Sequence, residues 1–480
     1  MSATRALLVR AVLLVGLAVL ATGCADMPHR PLVKANLAKG CDTRSQGDAP
    51  ADSVTPIESA NPPYKLHFLE FDDQGWSYSA PDNQPGMDDQ VDCAIADLTQ
   101  TLQSGKEVVT YVFVHGWHHS AEVGDRDLNR FRDLLAYQTR TARNRQVIGY
   151  YVGWNGATIK VPYVKDLTFW GRKNAAHHVS EGTIREFFAR LKAVRDHYNR
   201  PREAKNCGSE NARTDGFGCP VRTIMVGHSF GALILYSAAS PYLLETLSSE
   251  SQTDLDVKRP STQRERGIAD LVVLLNPAFE ATRYEAVHRA AMRYRNRSYA
   301  PPLLISITSD ADQATGVAFP VARFVNSIFQ YPATSPHESE AMRLTHGHID
   351  RYITHELTVD REHAAAASQT PSAADGPGPC TDAQGRPSDP AQLRREFFRT
   401  ATTADGLLDL PPRWERRLCG GLQLRQVQAL GSENYGLVWN VRTGKDIIPD
   451  HNRIDTRGVY TFIQQIYDEV SESRELRFRK

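Results

Sequence analysis

The chain has 480 residues, and its 56 Lys+Arg are balanced by 56 Asp+Glu, a formal net charge of zero. Hydrophobic residues make up 41% and charged residues 23%, a globular composition that excludes disordered, collagen-like and coiled-coil chains. The zero balance also argues against a nucleic-acid binder, which would show a basic excess.

Residues 1–23 read as an export signal and not as part of the fold. Arg5 and Arg10 bracket the start of an apolar run, Ala11 to Leu20, which closes on Ala21, Thr22 and Gly23 before Cys24. That run is far short of the ~20 apolar residues that a membrane-spanning helix needs. The ending resembles the lipobox of bacterial lipoproteins, with Ala21 where Leu is usual. The resemblance implies a lipid anchor on Cys24 and a place in the bacterial cell envelope. Ala25, not Asp, follows the cysteine, which by analogy points to the outer membrane, facing the periplasm. The other reading is a plain secretory signal with an incidental cysteine.

Cleavage before Cys24 would remove two Arg and no acid, leaving 54 − 56 = −2. Six further cysteines remain (Cys41, Cys93, Cys207, Cys219, Cys380 and Cys419), and an even number in an exported chain fits disulfides. Cys207 and Cys219 flank a short polar loop and form the first pair to expect; 41–93 and 380–419 complete the simplest set.

Residues 24–64 are polar and Pro-containing, a tether with surface wrapping. Beyond them, strand-like runs alternate with helical patterns, the signature of an α/β fold with a mostly parallel central sheet flanked by helices. The expected strands are Leu66–Phe71, Val108–Val114, Gln146–Val152, Thr223–Val226, Leu271–Leu275, Leu303–Thr308 and Tyr435–Val441. Helical rhythm is clear over Glu181–Asn199 and again from Val459 to Val470. At ~150 residues per domain the length suggests three domains, but the pattern reads as one. Residues 65–354 form its core, 355–430 a long low-complexity insertion with its flanks, and 431–480 the last strand, a loop and the final helix.

The strongest chemical signal is Gly227-His228-Ser229-Phe230-Gly231, entered from a β-prone run and left by an apolar helix-like run. That is the setting of a nucleophile elbow: the serine sits on a sharp, strained turn, and small residues two places away let strand and helix approach. The alternative is a Gly-rich turn without chemistry. In this context the chain resembles the α/β-hydrolases, and more narrowly the bacterial lipoprotein serine esterases and lipases. The motifs run in the family's order over roughly residues 107–470.

What the resemblance implies can be stated residue by residue. Ser229 is the nucleophile, and the backbone amides of Phe230 and Trp117 form the oxyanion hole; Trp117 follows the strand ending in His115-Gly116. The family order is Ser, acid, His. Asp312 is the expected acid, with Asp310 and Glu280 as further candidates. His451, on a loop between the last strand and the last helix, is the expected base. Its competitors His346 and His348 lie 34 and 36 residues beyond Asp312, against 139 for His451. His115, His118 and His119 also admit a metal-site reading, but no carboxylate or distant His stands at recognised spacing.

The implied reaction is hydrolysis of a small-molecule or lipid carboxylic ester through an acyl-enzyme, with no metal or organic cofactor. The membrane enters as a partner through the anchor, and nucleic acid does not. Oligomeric state is not legible. The segment from Gly153 to His178, with Trp154, Tyr163, Phe169 and Trp170, is either an acyl-pocket wall or lid, or ordinary packing. Alternative functions are a lipase or phospholipase on membrane lipid, and a non-catalytic envelope lipoprotein on a hydrolase scaffold.

Overall fold

The computed structural model describes residues 64–77, 90–122, 124–141, 145–156, 169–199, 220–253, 267–294, 301–327, 333–370, 380–381, 386–400, 413–428 and 436–476. Residues 1–63, which hold Cys24, the signal and all of the tether but Tyr64, together with Tyr163 and the Cys207–Cys219 pair, lie outside the described residues.

The chain is an α/β protein built on a ten-stranded sheet. The strands are β1 (Lys65–Phe71), β2 (Val108–Val114), β3 (Gln146–Trp154), β4 (Val221–His228), β5 (Leu271–Leu275), β6 (Leu304–Ser309), β7 (His355–Val359), β8 (Glu415–Arg417), β9 (Leu422–Gln426) and β10 (Val438–Thr443). Their spatial order is β1-β3-β2-β4-β5-β6-β10-β7-β9-β8. All neighbours pair parallel except β7–β9 and β8–β9. β2 (VVTYVFV) is buried at every position, as a parallel strand covered on both faces must be.

Two apolar clusters fill those faces. One packs Leu98 of helix α1 (Gln90–Gln103) with Phe187 and Leu191 of a later helix (Ile184–Tyr198) against Val112, Ile148 and Met225. The other packs Phe131 and Leu135 of α2 (Arg126–Thr141) and Phe462 and Ile466 of the last helix (Arg457–Leu476) against Tyr111, Ile224 and Val273. The helical stretch expected over Glu181–Asn199 is α4 (Ile184–Tyr198), and a separate helix, α3 (Phe169–Glu181), precedes it. The break falls at Gly182, whose close approach to Gly75 leaves no room for a Cβ.

The expected insertion at 355–430 is not wholly outside the sheet: β7, β9 and β8 extend it beyond β10. Leu357, Leu422 and Leu424 point inward from these short strands, onto Trp414 and Trp439. A disulfide joins Cys380 to Cys419 as expected, and Cys93 is disulfide-bonded as well. No helix among the described residues is long and apolar enough to cross a membrane.

Among the described residues, His115, His228, His346 and His355 lie wholly inside the structure. Burial pulls His115 down to about 4, and His346 and His355 each to about 3. In the unfolded chain the same rings take a proton near 6.5, so the unfolded state binds more protons between those values. Their contribution is complete above pH 6.5 and is lost as pH falls. The melting temperature should therefore drop progressively from pH 6.5 to 4; a flat profile down to pH 4.5 in scanning calorimetry would contradict this burial.

Candidate active site

Three non-glycine residues among those described have positive φ: His118 (69°), Ser229 (55°) and Asn276 (43°). Each follows the carboxyl end of a strand (β2, β4 and β5 respectively), and strain of this kind gathers at functional sites. Ser229 is the turn between β4 and helix α5 (Phe230–Thr253). A Cβ on Gly227 would lie 2.8 Å from the Ala232 Cα, and one on Gly231 would be driven into the carbonyl oxygens of Val114 and His115. The turn is pinned from the end of β5 and the segment after it: the Ser229 N–H donates to the Leu275 carbonyl at 3.0 Å, and the Ala278 N–H to the Ser229 carbonyl at 3.2 Å.

Ser229, His451 and Asp312 form one chain of hydrogen bonds. The Ser229 Oγ is 2.8 Å from His451 Nε2, and His451 Nδ1 is 2.8 Å from Asp312 Oδ2. Asp312 is fully buried. Burial alone would raise its carboxyl, but hydrogen bonds from His451 and Thr315 hold it below the usual carboxylate range. His451 follows β10, and β10 lies directly beside β6, which ends ahead of Asp312. The 139 residues between the two thus close onto adjacent strand ends.

The other acid and base candidates are placed elsewhere. Asp310 is 64% exposed and faces Arg442. Glu280 is buried in an ion cluster with Lys173 and Arg323. His346 is in the core, with Nε2 at 2.7 Å from the Ser306 hydroxyl and its ring stacked on Tyr284. His348 meets Thr315 behind Asp312.

Trp117 and Phe230 flank Ser229. Phe230 is the residue after it, at the N-terminus of α5. A Cβ on Gly116 would sit 2.9 Å from the Ser229 Cβ, so the Gly116–Trp117 peptide runs alongside the serine. His115 fixes that peptide. Its Nε2 accepts from the Trp154 N–H at 3.1 Å, so Nδ1 carries the proton and donates to the Gly116 carbonyl at 3.0 Å. In a trans peptide the Trp117 N–H is then turned to the opposite side. The histidines near it hold other partners: His115 stacks on Tyr151 and Trp154, and His119 sits 3.2 Å from Asp125.

Several supporting residues carried no signal in the sequence. The His451 carbonyl accepts from His228 Nε2 (2.9 Å) and from the Asn276 amide (3.1 Å). Behind His228 lies buried Asp127, at 3.6 Å from Nδ1, longer than a hydrogen bond. Arg130 joins Asp127 (3.2 Å) to Asp455 (2.7 Å) and donates to the Asn452 carbonyl (2.9 Å), tying α2 to the His451 loop.

An aromatic wall adjoins the serine. Phe169 packs on Trp117 (ring centroids 5.5 Å), Phe230 (5.3 Å) and Phe319 (6.1 Å). The Lys173 ammonium lies 5.0 Å from the centre of the Phe319 ring. Trp154 belongs to the core instead.

No family model matches the chain, and no curated protein does. Among solved structures it is similar to an uncharacterized protein from Pseudomonas aeruginosa at 9% identity, over 52% of this chain and 42% of that one, with a TM-score of 0.15. The chain thus spans less than half the length of that neighbour.

The close approach at Gly231 is directly testable. Gly231→Ala should cost about 1–3 kcal/mol in urea unfolding, the usual price of overpacking. Gly444→Ala, where a Cβ meets nothing within 4 Å, should change it by less than about 0.5 kcal/mol. Equal effects of the two would remove the packing argument.

Proposed function

We propose that this chain is a serine hydrolase of the α/β-hydrolase type that cleaves carboxylic esters through an acyl-enzyme. The observation that carries the reading is the Ser229–His451–Asp312 chain, with both hydrogen bonds at 2.8 Å, on a serine at positive φ. The order of the three along the chain, each at the carboxyl end of a parallel strand, supports it.

His451 Nε2 takes the Ser229 proton as Oγ forms a bond to the ester carbonyl carbon. Asp312, accepting from Nδ1–H, holds the tautomer and stabilises the imidazolium. The oxyanion is received by the Trp117 and Phe230 amides. As the intermediate collapses, the carbon–alkoxy bond breaks and His451 gives its proton to the leaving alcohol. Water then attacks the acyl-enzyme by the same route and releases the acid. Phe169 and Phe319 offer an apolar surface for the acyl or alcohol portion, and the buried indole N–H of Trp117, without a partner among the described residues, is a spare donor.

One observation favours a lipid ester within this class. Val317 and Val321, each 61% exposed, follow Asp312 on one stretch of chain. Large apolar side chains turned to solvent on the segment that follows Asp312 suit an interface with lipid, and a lipid anchor on Cys24 would bring such a surface to a membrane.

A fluorophosphonate probe tests the reading: Oγ attacks phosphorus, fluoride leaves, and the proton passes to His451. Wild-type protein should label and Ser229→Ala should not. Ser229-independent labelling, or none, would leave the non-catalytic reading standing. With p-nitrophenyl esters, His451→Ala should lower the rate by about 10⁴-fold or more. Phe169→Ala should act mainly on long acyl chains, raising KM.

A further inference from the structure

Two of the three histidines that compete in the sequence for the role of base, His451 and His348, lie on opposite sides of one carboxylate. Asp312 Oδ2 accepts from His451 Nδ1 at 2.8 Å and also from the Thr315 hydroxyl. His348 Nε2 lies 2.9 Å from that same hydroxyl. An ionised carboxylate only accepts, so Thr315 spends its single hydrogen on Asp312, and His348 must donate from Nε2. The direction is fixed: His348 to Thr315 to Asp312, with His451 donating from the other side.

The backbone is shaped around this arrangement. Residues Ala314–Ala318 form a π-turn, a wide turn frequent at functional sites. It aims the Ala314 and Thr315 N–H groups at Asp312 Oδ1, at 2.9 and 3.1 Å. It also brings Gly316 against the His348 ring, where a Cβ would lie 3.2 Å from Cε1. Every acceptor direction of Asp312 is thereby used, and its charge is divided between His451 and the Thr315–His348 arm.

We propose that His348, acting through Thr315, is a positioning residue that sets how much of the Asp312 charge reaches His451. The proposal rests on the serine-hydrolase reading above. His348 faces Asp312, Asp310, Arg442 on β10 and the neighbouring His346. His451 faces Asp312 on one side and His228, backed by Asp127, on the other. Burial disfavours the His348 cation, so at neutral pH the ring is the neutral donor that the geometry requires. Without the arm, the charge on Asp312 concentrates on His451 and strengthens its hold on a proton. Deprotonation of His451, which switches the nucleophile on, then moves to higher pH.

The experiment is the pH dependence, from 5 to 9, of fluorophosphonate inactivation of the full chain, scaled to the number of sites that label at completion. Thr315→Val should lower the plateau about tenfold, the ordinary worth of a hydrogen bond to a charged group. It should also raise the midpoint of the acid limb by about half a unit. His348→Leu should move both in the same direction by less. Thr315→Ser and His348→Gln, which restore a donor at each place, should recover most of both changes.

A fixed midpoint in Thr315→Val and His348→Leu, whatever the plateau does, overturns the proposal, as does failure of the two restoring variants. Either result leaves the hydrolase reading intact while Ser229→Ala abolishes labelling. Labelling that survives Ser229→Ala removes the reading itself.

Discussion

Everything at this site depends on how closely α5 can approach β2. The carbonyl oxygens of Val114 and His115 occupy the space where any residue but glycine at position 231 would place its Cβ. With that approach allowed, α5 starts beside the end of β2, and Ser229 is forced into its positive-φ turn. The Gly116–Trp117 peptide is then brought alongside the serine. Strain at one residue and close contact at two glycines are thus parts of a single constraint. The cost at Ser229 is met by its bonds to Leu275, at the end of the neighbouring strand, and to Ala278 just beyond it.

The second constraint is topological. β10 inserts between β6 and β7, with Val438 level with Leu304 and Thr443 level with Ser309. Because the two strands run parallel, the segments that leave them emerge at the same edge, and Asp312 and His451 meet there. The returning loop is then held against motion from three directions. His228 and Asn276 grip the His451 carbonyl, and Arg130 holds Asn452 and Asp455. An imidazole that must bridge two partners at 2.8 Å needs its backbone fixed in this way, since small displacements weaken both bonds together.

What could be read from sequence was local. The strands β1 to β6 are short apolar runs between polar stretches, and the elbow is five consecutive residues whose physics is self-contained. The placing of Asp312 over Asp310 was a matter of two residues after a strand end. Only the packing of the π-turn, invisible to periodicity, turns one inward and leaves the other exposed. β7 and β9 escaped notice for a different reason. They are five residues each, and three of the five are polar: two on the outward face and one buried, His355 in β7 and Gln426 in β9. In a stretch flanked by Ala-, Ser- and Pro-rich sequence, so short an alternation does not stand out. His228 and Asp127 carry no signal of their own, since their importance comes from contacts across hundreds of residues.

Glu280 shows why residue type and position near a strand end are insufficient. It lies soon after β5 and is buried, as an orienting carboxylate should be, yet its charge is committed elsewhere. Burial would raise its carboxyl, but Lys173 and Arg323 hold it down to about 2. In return, burial brings Lys173 down to about 8. Three elements converge on that one carboxylate: α3 through Lys173, the start of the helix Ala281–Arg293 through Glu280 itself, and the helix Phe319–Ser327 through Arg323. Two of them supply the rings Phe169 and Phe319 beside the serine. A buried cation cannot stay charged without its partner, so removing Glu280 would loosen both rings at once. An acid so engaged cannot orient an imidazole, and Asp312, whose oxygens are met by hydrogen-bond donors instead of by Lys or Arg side chains, can.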